Sequence, residues 1–427
     1  MRTVVVAGGG YAGLSACLEF RRRAMRSGLV EDVRVILVNE APVHTYTTEL
    51  HGLATGVEDV GDVVVPLAHV LHAPTRLVVG RIEAVDARRH VVRVDGDELK
   101  YDDLVLAVGS VPEDYGIDGV RRYAWFLESA AAAQAIREGL DESAERGHGT
   151  VVLVGGGLTG VELAAEIKDV YRDRLEVLLL EAGERIMAGI EPALAKASQR
   201  LLENKGVHVR TGVRIASVNA RALAVRGRQD VPYDVLLWCA GVRGNPLVAR
   251  SGFAVETHGR GVTDSYLRAR GDEHVWLAGD CAAFPMSAGG YLPPTAQAAE
   301  QAGRAAAHNV LRSLLGLELD PFEPRVRGLF ASLGEREGVG QIGREEFFGL
   351  SAILVKRLIE AHHAFEAGGL NNLTRDLWRQ AGRLLWGDAM GKDRFEARER
   401  SERGAEQGSR ANVTFGAGGA ASRRSGR

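Results

Sequence analysis

The sequence predicts an α/β fold built twice in one chain, followed by a smaller C-terminal region. Three observations carry that expectation. A strand–glycine loop–helix–strand plan occurs at the N-terminus and again from about residue 150. Each copy continues into short alternating strands. Each then closes on a segment running from Tyr-Asp to Gly over the same spacing. Repetition on this scale reflects duplicated supersecondary structure. At 427 residues the chain has room for two or three domains.

In the first copy Thr3-Val4-Val5-Val6-Ala7 reads as a strand, and Gly8-Gly9-Gly10-Tyr11-Ala12-Gly13 follows it. Leu14, Leu18 and Phe20 mark a helix. The next strand, Val35-Ile36-Leu37-Val38, ends at Asn39-Glu40. The second copy runs Val151 to Val154, then Gly155-Gly156-Gly157-Leu158-Thr159-Gly160. A helix with Val161, Leu163, Ala164 and Ile167 leads to Val177-Leu178-Leu179-Leu180 and Glu181. A lone GxGxxG is weak. Two copies, each between a strand and a helix, are what a Rossmann-like dinucleotide fingerprint requires. Gly8 and Gly155 allow the tight turn, Gly10 and Gly157 the approach of a pyrophosphate, and Gly13 and Gly160 close helix–strand packing. The helix N-terminus then faces the phosphates with unpaired N–H groups.

Short strands follow in both copies: Leu77 to Val79, Ile82 to Val85 and Val91 to Val94, then Val207 to Val209, Val213 to Val218 and Ala222 to Val225. The closing segments are Tyr101-Asp102 through Gly109 and Tyr233-Asp234 through Gly241. Glu181 stands 21 residues after Gly160, where a carboxylate accepts ribose hydroxyls and repels a 2′-phosphate. That favours NADH over NADPH, although Arg185 nearby could accommodate a phosphate. In the first copy Asn39 falls opposite Glu181, with Glu40 as a substitute ribose ligand.

Composition narrows the class. Hydrophobic residues are 45% and charged residues 26%, a globular balance. The net charge of −3 gives no basic field for nucleic acid. Glycine, 53 residues without a three-residue period, implies many tight turns. Cys17, Cys239 and Cys281 form no CxxC pair, which suggests a reducing compartment. No apolar run approaches a membrane span, and a strand starts where a signal peptide would stand. Arg21 to Arg23 lies too far inside for a twin-arginine signal and is expected to be the solvated end of a helix. His362-His363 are adjacent, a poor chelating geometry, so no metal site is expected.

Two nucleotide units, each closed by an apolar–Ala–x–Gly strand, resemble the two-dinucleotide-binding flavoproteins of the glutathione-reductase-like fold. Val275-Trp276-Leu277-Ala278-Gly279-Asp280 resembles their strand ending in Gly-Asp, whose aspartate binds the ribityl chain of FAD. The resemblance covers about residues 1–325. It implies FAD at the first fingerprint (Gly8, Gly10, Tyr11, Ala12, Gly13, with Asn39, Glu40, Gly109, Gly279, Asp280 and Gln297). It implies NADH at the second (Gly155, Gly157, Gly160, with Glu162, Glu181 and Gly241). Disulfide reductases and sulfide:quinone oxidoreductases rely on paired cysteines, which nothing here suggests.

More specific segments resemble type II NADH dehydrogenases. These are Val43-His44, Leu50 to Gly56, Leu158-Thr159-Gly160-Val161-Glu162, Ala240 to Pro246, Pro294 to Gln301, and Ser332-Leu333-Gly334 with Gly338-Val339-Gly340. The resemblance implies a single-chain, non-proton-pumping NADH:quinone oxidoreductase of a respiratory chain. Hydride would pass from NADH to flavin N5, at about 3–3.5 Å, and two electrons then to a membrane quinone. It places Glu162 near the nicotinamide–flavin contact. Gln297 and Gln301, four residues apart on one helix face, would bond the quinone. After the double proline Gln297 is near a helix start, where the dipole favours a reduced flavin anion.

The expected domains are residues 1–112 and 246–325 for FAD, 113–245 for NADH, a C-terminal region at 326–387 and a disordered tail at 388–427. In 371–387, Leu373, Leu377, Ala381 and Leu384 recur at helical spacing beside Trp378 and Leu385, with Arg375, Arg379 and Arg383 adjoining. That pattern suggests an interfacial helix, hence a cytoplasmic protein held on the inner face of the cell membrane. Ile353-Leu354-Val355 and Leu358-Ile359 suit either that surface or the core. A homodimer is left open. Two alternatives stand beside this reading: a soluble FAD reductase serving a ferredoxin-like protein, and a nucleotide-sensing protein with little turnover.

Overall fold

The structure, a computed structural model, describes residues 1–27, 32–73, 75–287, 289–325, 328–334 and 336–359. His362-His363, the segment 371–387 and the tail lie outside the described residues.

Two parallel sheets dominate. In the first, strands lie in the order Val275–Leu277, Asp103–Leu106, Arg2–Ala7, Val33–Asn39, Thr75–Val79. In the second the order is Val235–Trp238, Gly149–Val154, Leu175–Leu180, Val207–Arg210. Leaving aside the extra edge strand of the first, the two orders are the same. The registers agree as well: Arg2 pairs with Val33 as Gly149 pairs with Leu175. Counting along both second strands places Asn39 where Glu181 stands. Val4, Val5, Val6 and Ala7 are fully buried, as a central parallel strand covered on both faces requires.

Each sheet carries a three-stranded antiparallel meander, Ile82–Asp86 with Val91–Val94 and Asp97–Lys100, and Ile215–Val218 with Ala222–Val225 and Val231–Pro232. The second begins later than the sequence suggests, because the Val213 N–H turns back to the Glu181 carbonyl at 2.9 Å. Leu77–Val79 and Val207–Val209 belong to the parallel sheets instead of the meanders. Arg21 to Arg23 also differ from expectation. The helix runs on to Ser27, and Arg22 and Arg23 pair with the buried Glu19 inside it.

The helices Tyr11–Ser27 and Ala296–Leu314 cross over one face of the first sheet. Their approach depends on Gly303, where an added Cβ would lie 2.0 Å from the Ala12 carbonyl oxygen. Ala298, Ala299, Ala302, Ala306 and Ala307 keep the same face thin. Two short strands, Ser110–Pro112 and Val242–Gly244, pair antiparallel where the chain passes between the units. A C-terminal sheet, Leu329–Ser332, Gly338–Ile342 and Glu345–Phe348, rests on the second unit. Lys205 holds it there, bonding Asp169 at 2.6 Å and Glu337 at 3.0 Å. A helix begins at Leu350, with Ala352 and Ile353 buried and Leu354 and Leu358 exposed.

Candidate functional site

The two glycine loops have the same construction. Gly8 lies at φ +110 and Gly155 at φ +111, and an added Cβ would stand 2.3 Å from the carbonyl oxygens of Ala107 and Cys239 respectively. At Gly13 and Gly160 it would lie 1.8 and 1.9 Å from the carbonyls of Gly8 and Gly155. Gly10 and Gly157 differ. A Cβ there would meet nothing within 4 Å, so internal packing does not require glycine. The open space lies in front of helix N-termini, since helices start at Tyr11 and Leu158, and a ligand there would require glycine.

The second-strand ends brace these loops. Asn39 Oδ1 accepts the Gly9 N–H at 2.8 Å, and its amide donates to the carbonyls of Ala41 and Val43. Glu181 Oε2 accepts the Gly156 N–H at 2.7 Å, and Oε1 accepts that of Gly183 at 2.6 Å. One position thus holds a neutral amide in the first unit and a carboxylate in the second. Glu40 is exposed and has no side-chain hydrogen bond or ion pair among the described residues. Arg185 donates to the carbonyls of Met187, Ala188 and Ile190, so its guanidinium is committed to its own loop.

The extra edge strand of the first sheet delivers Gly279 and Asp280 to the first loop. Gly279, at φ +77, would place a Cβ 2.9 Å from that of Ala12. Asp280 lines a narrow cleft with Phe284, Pro294, Ala298 and Ala299. Burial raises its pKa, against the Ser110 hydroxyl, which donates to Oδ2 at 3.0 Å, and the charge of Arg260. Gly109 (φ +67) and Gly241 (φ +120) end the two closing segments, each at one of the paired linker strands. The Tyr11 hydroxyl pairs with that of Thr48 at 3.0 Å. His44, met in the sequence only as part of a motif, donates from Nδ1 to the Gly9 carbonyl at 2.9 Å.

Thr295 caps the helix Ala296–Leu314 by accepting the Ala298 N–H, so Gln297 falls in its first turn. The Gln297 amide donates to the Gly328 carbonyl at 3.3 Å. Gln301 both donates to the Arg325 carbonyl and accepts the Arg325 N–H, at 3.0 and 2.8 Å. The pair therefore holds the chain as it enters the C-terminal sheet.

Glu162 sits where the first unit, the second unit and the C-terminal region meet, and is 8% exposed. Its Oε1 accepts from Lys356 Nζ at 2.6 Å, Ser332 N at 2.9 Å and Ser332 Oγ at 3.1 Å. Burial alone would raise its pKa; the charges of Lys356 and His51 and the hydrogen bonds outweigh it and hold the carboxyl below its ordinary range. His51 Nε2 lies 3.9 Å from Glu166 Oε2. Burial would lower the pKa of His51, but Glu166 and Glu162 raise it on balance. Lys356, Ser332 and Glu166 carried no role in the sequence reading. Lysine is rare in this arginine-rich chain, but Lys356 lies 24 residues from Ser332 and 194 from Glu162, so no local pattern ties the three together.

All three cysteines are free, and burial pushes Cys239 and Cys281 up to about 12, so neither is a thiolate nucleophile. No group of three or more His, Cys, Asp or Glu among the described residues could hold a metal ion.

Doubled loops, an aspartate at the first and a carboxylate bracing the second define a two-nucleotide α/β oxidoreductase. The chain belongs to the pyridine nucleotide-disulphide oxidoreductase family, which it matches over residues 2–303. It is 28% identical over 393 residues to the type II NADH:quinone oxidoreductase of Staphylococcus saprophyticus, covering 86% of this chain and 96% of that one. It is 29% identical to the Staphylococcus aureus protein of the same name, with the same coverage. Its fold is that of NDH2 from Plasmodium falciparum, solved in complex with NADH. The TM-score is 0.78 at 16% identity, over 90% of this chain and 99% of that one. The sulfide:quinone oxidoreductase of Aquifex aeolicus gives 0.75 at 19% identity, covering 90% and 95%.

Proposed function

We propose that this chain is an FAD-dependent NADH:quinone oxidoreductase. One observation carries the reading: the same loop is built twice, but Asp280 serves only the first copy and Glu181 only the second. Gly10, with open space before it and Asp280 beside it, fits FAD. Gly157 and Glu181 fit NADH. FAD, when bound, supplies a two-electron carrier between a hydride donor and a quinone. The relatives' names supply the quinone. Residues 1–112 and 246–325 are then the FAD domain and 113–245 the NADH domain.

The chain's own residues set the conditions. The Glu181 carboxylate favours ribose hydroxyls over a 2′-phosphate, and Arg185 directs three of its hydrogen bonds into the carbonyls of its own loop. Glu162, held ionised by Lys356, is a proton acceptor at the junction of three regions. Gln297 and Gln301 share a face near a helix N-terminus, and an arriving quinone carbonyl would exchange for the carbonyls they now bond. Leu350, Leu354 and Leu358 form an exposed stripe, at 47%, 45% and 68% exposure. That stripe supports docking on a membrane surface; no helix among the described residues is long and apolar enough to cross one.

The test is anaerobic. NADH should bleach the flavin absorbance of the purified yellow protein, and a soluble quinone should restore it. A colourless folded protein without affinity for FAD overturns the cofactor assignment. A flavin that NADH reduces but only a ferredoxin-like protein reoxidises overturns the quinone.

A further inference from the structure

The second sheet has its strands in the spatial order third, second, first, fourth by sequence, so the chain reverses direction between Gly149–Val154 and Val235–Trp238. In such sheets the ligand crevice opens beyond the carboxyl ends at that reversal. Here it lies between Gly155 and Cys239 to Gly241. The Tyr115 side chain reaches it from outside the sheet. The Tyr115 hydroxyl donates to the Ala240 carbonyl at 2.8 Å and stands 3.3 Å from where a Cβ on Gly241 would be. The rest of Tyr115 faces solvent, with the residue 59% exposed.

Its backbone is costly. Tyr115 and Gly116 have φ of +53 and +64, and the Ile117 N–H closes on the Asp114 carbonyl at 3.0 Å. Two successive positive φ values are the mark of a type I′ turn, whose first central position suits Asn, Asp or Gly. A bulky residue there is an outlier that persists only when its surroundings hold it. They do. Glu113 Oε1 accepts the Tyr115 N–H, Asp114 Oδ1 accepts that of Gly116, and the Trp238 indole fixes the Glu113 carbonyl. The turn itself gains nothing from an aromatic ring, so the ring's position at the crevice is the reason for it.

We propose that Tyr115 is a latch on the NADH crevice: its hydroxyl closes on Ala240, and the dinucleotide displaces it on entry. This rests on the assignment of NADH to the second unit. Burial, then the nearby Glu113 and Glu181, raise the pKa of the phenol, so it remains a hydrogen-bond donor at neutral pH. A closed fraction lowers apparent affinity in proportion to the open fraction. Weakening the latch therefore tightens binding, the opposite of removing a ligand contact.

The experiment titrates NAD⁺ into the FAD-loaded parent, Tyr115→Phe and Tyr115→Gly by calorimetry, and follows flavin bleaching against NADH concentration. Tyr115→Phe, which loses one hydrogen bond, should bind NAD⁺ roughly two- to tenfold more tightly with the limiting bleaching rate unchanged. Tyr115→Gly, which also accepts the positive φ, should bind at least as tightly. Weaker or unchanged binding in both variants, with parental FAD content, overturns the latch. Failure of the parent to bind NAD⁺ or to be bleached by NADH overturns the NADH assignment instead.

Discussion

Glu162 and Lys356 show how a few atoms can join three parts of a chain. Both are largely buried, so neither charge has water to replace the other. Lys356→Met should cost on the order of 3–5 kcal/mol in urea unfolding, since it leaves a buried carboxylate without its strongest counter-charge. Adding Glu162→Gln should recover most of that. A double variant as unstable as the single one would show that packing, not charge, carries the effect. The same group titrates in a defined window. Glu162 has a lowered pKa, so its contribution is present above the ordinary glutamate value and lost as pH falls through the lowered one. His51 has a raised pKa, so its contribution is present below about 6.5 and lost as pH rises through the raised one. The parent's melting temperature should therefore fall between pH 6 and pH 8 by more than that of His51→Gln. Parallel slopes would remove His51 from the cluster. Glu181→Ala should erode discrimination against NADPH in flavin bleaching, and a parent that uses both equally would refute the role of the carboxylate. Glu162 and Glu181 were visible in the sequence because each follows a glycine fingerprint at fixed spacing. Lys356 was not, because it reaches Glu162 across 194 residues and no local pattern records that contact.

Among the elements, the crossing of helices Tyr11–Ser27 and Ala296–Leu314 sets the depth of the first site. Gly303 permits it, and the clash on substitution is with backbone, which cannot rotate away. Gly303→Ala should cost about 1–3 kcal/mol of overpacking and, by pushing the helix away from Ala12, weaken FAD retention. Fluorescence of FAD released during dialysis measures it; retention equal to the parent's would mean that the helices adjust without disturbing the loop. Both parallel sheets were legible in the sequence, since fully buried strands leave continuous apolar runs such as Val4 to Ala7. The linker strands Ser110–Pro112 and Val242–Gly244 were not. Three residues carry too little periodicity, and their pairing is fixed by the sheets they connect. The C-terminal sheet was equally obscure. Its strands are short, exposed at Ile342 and Phe348, and tied to the second unit by contacts with Lys205 and Glu162.

At the scale of the whole molecule, the proposed function requires a folded enzyme to meet an apolar quinone, which partitions into a bilayer. The sequence suggested residues 371–387 and left Ile353 to Ile359 divided between core and surface. The structure divides them by face: Ile353 is 3% exposed, whereas Leu354 and Leu358, with Leu350, point outward at spacings of four. A stripe at that spacing occupies one helical face, and Lys356 holds the same helix to Glu162. Burying three leucines in an interface is worth a few kcal/mol at about 25 cal/mol per Å². That is enough for reversible docking and too little for insertion. Replacing Leu350, Leu354 and Leu358 with Ser should leave FAD content and bleaching by NADH unchanged. It should reduce sedimentation with anionic liposomes and slow turnover with a long-chain quinone more than with a soluble one. Truncation after Gly369 separates the contributions: if it abolishes sedimentation while the triple variant retains it, the later segment anchors the protein and the stripe does not. If the triple variant alone releases the protein, the leucine face is the docking surface, carried on the helix that Lys356 ties to Glu162.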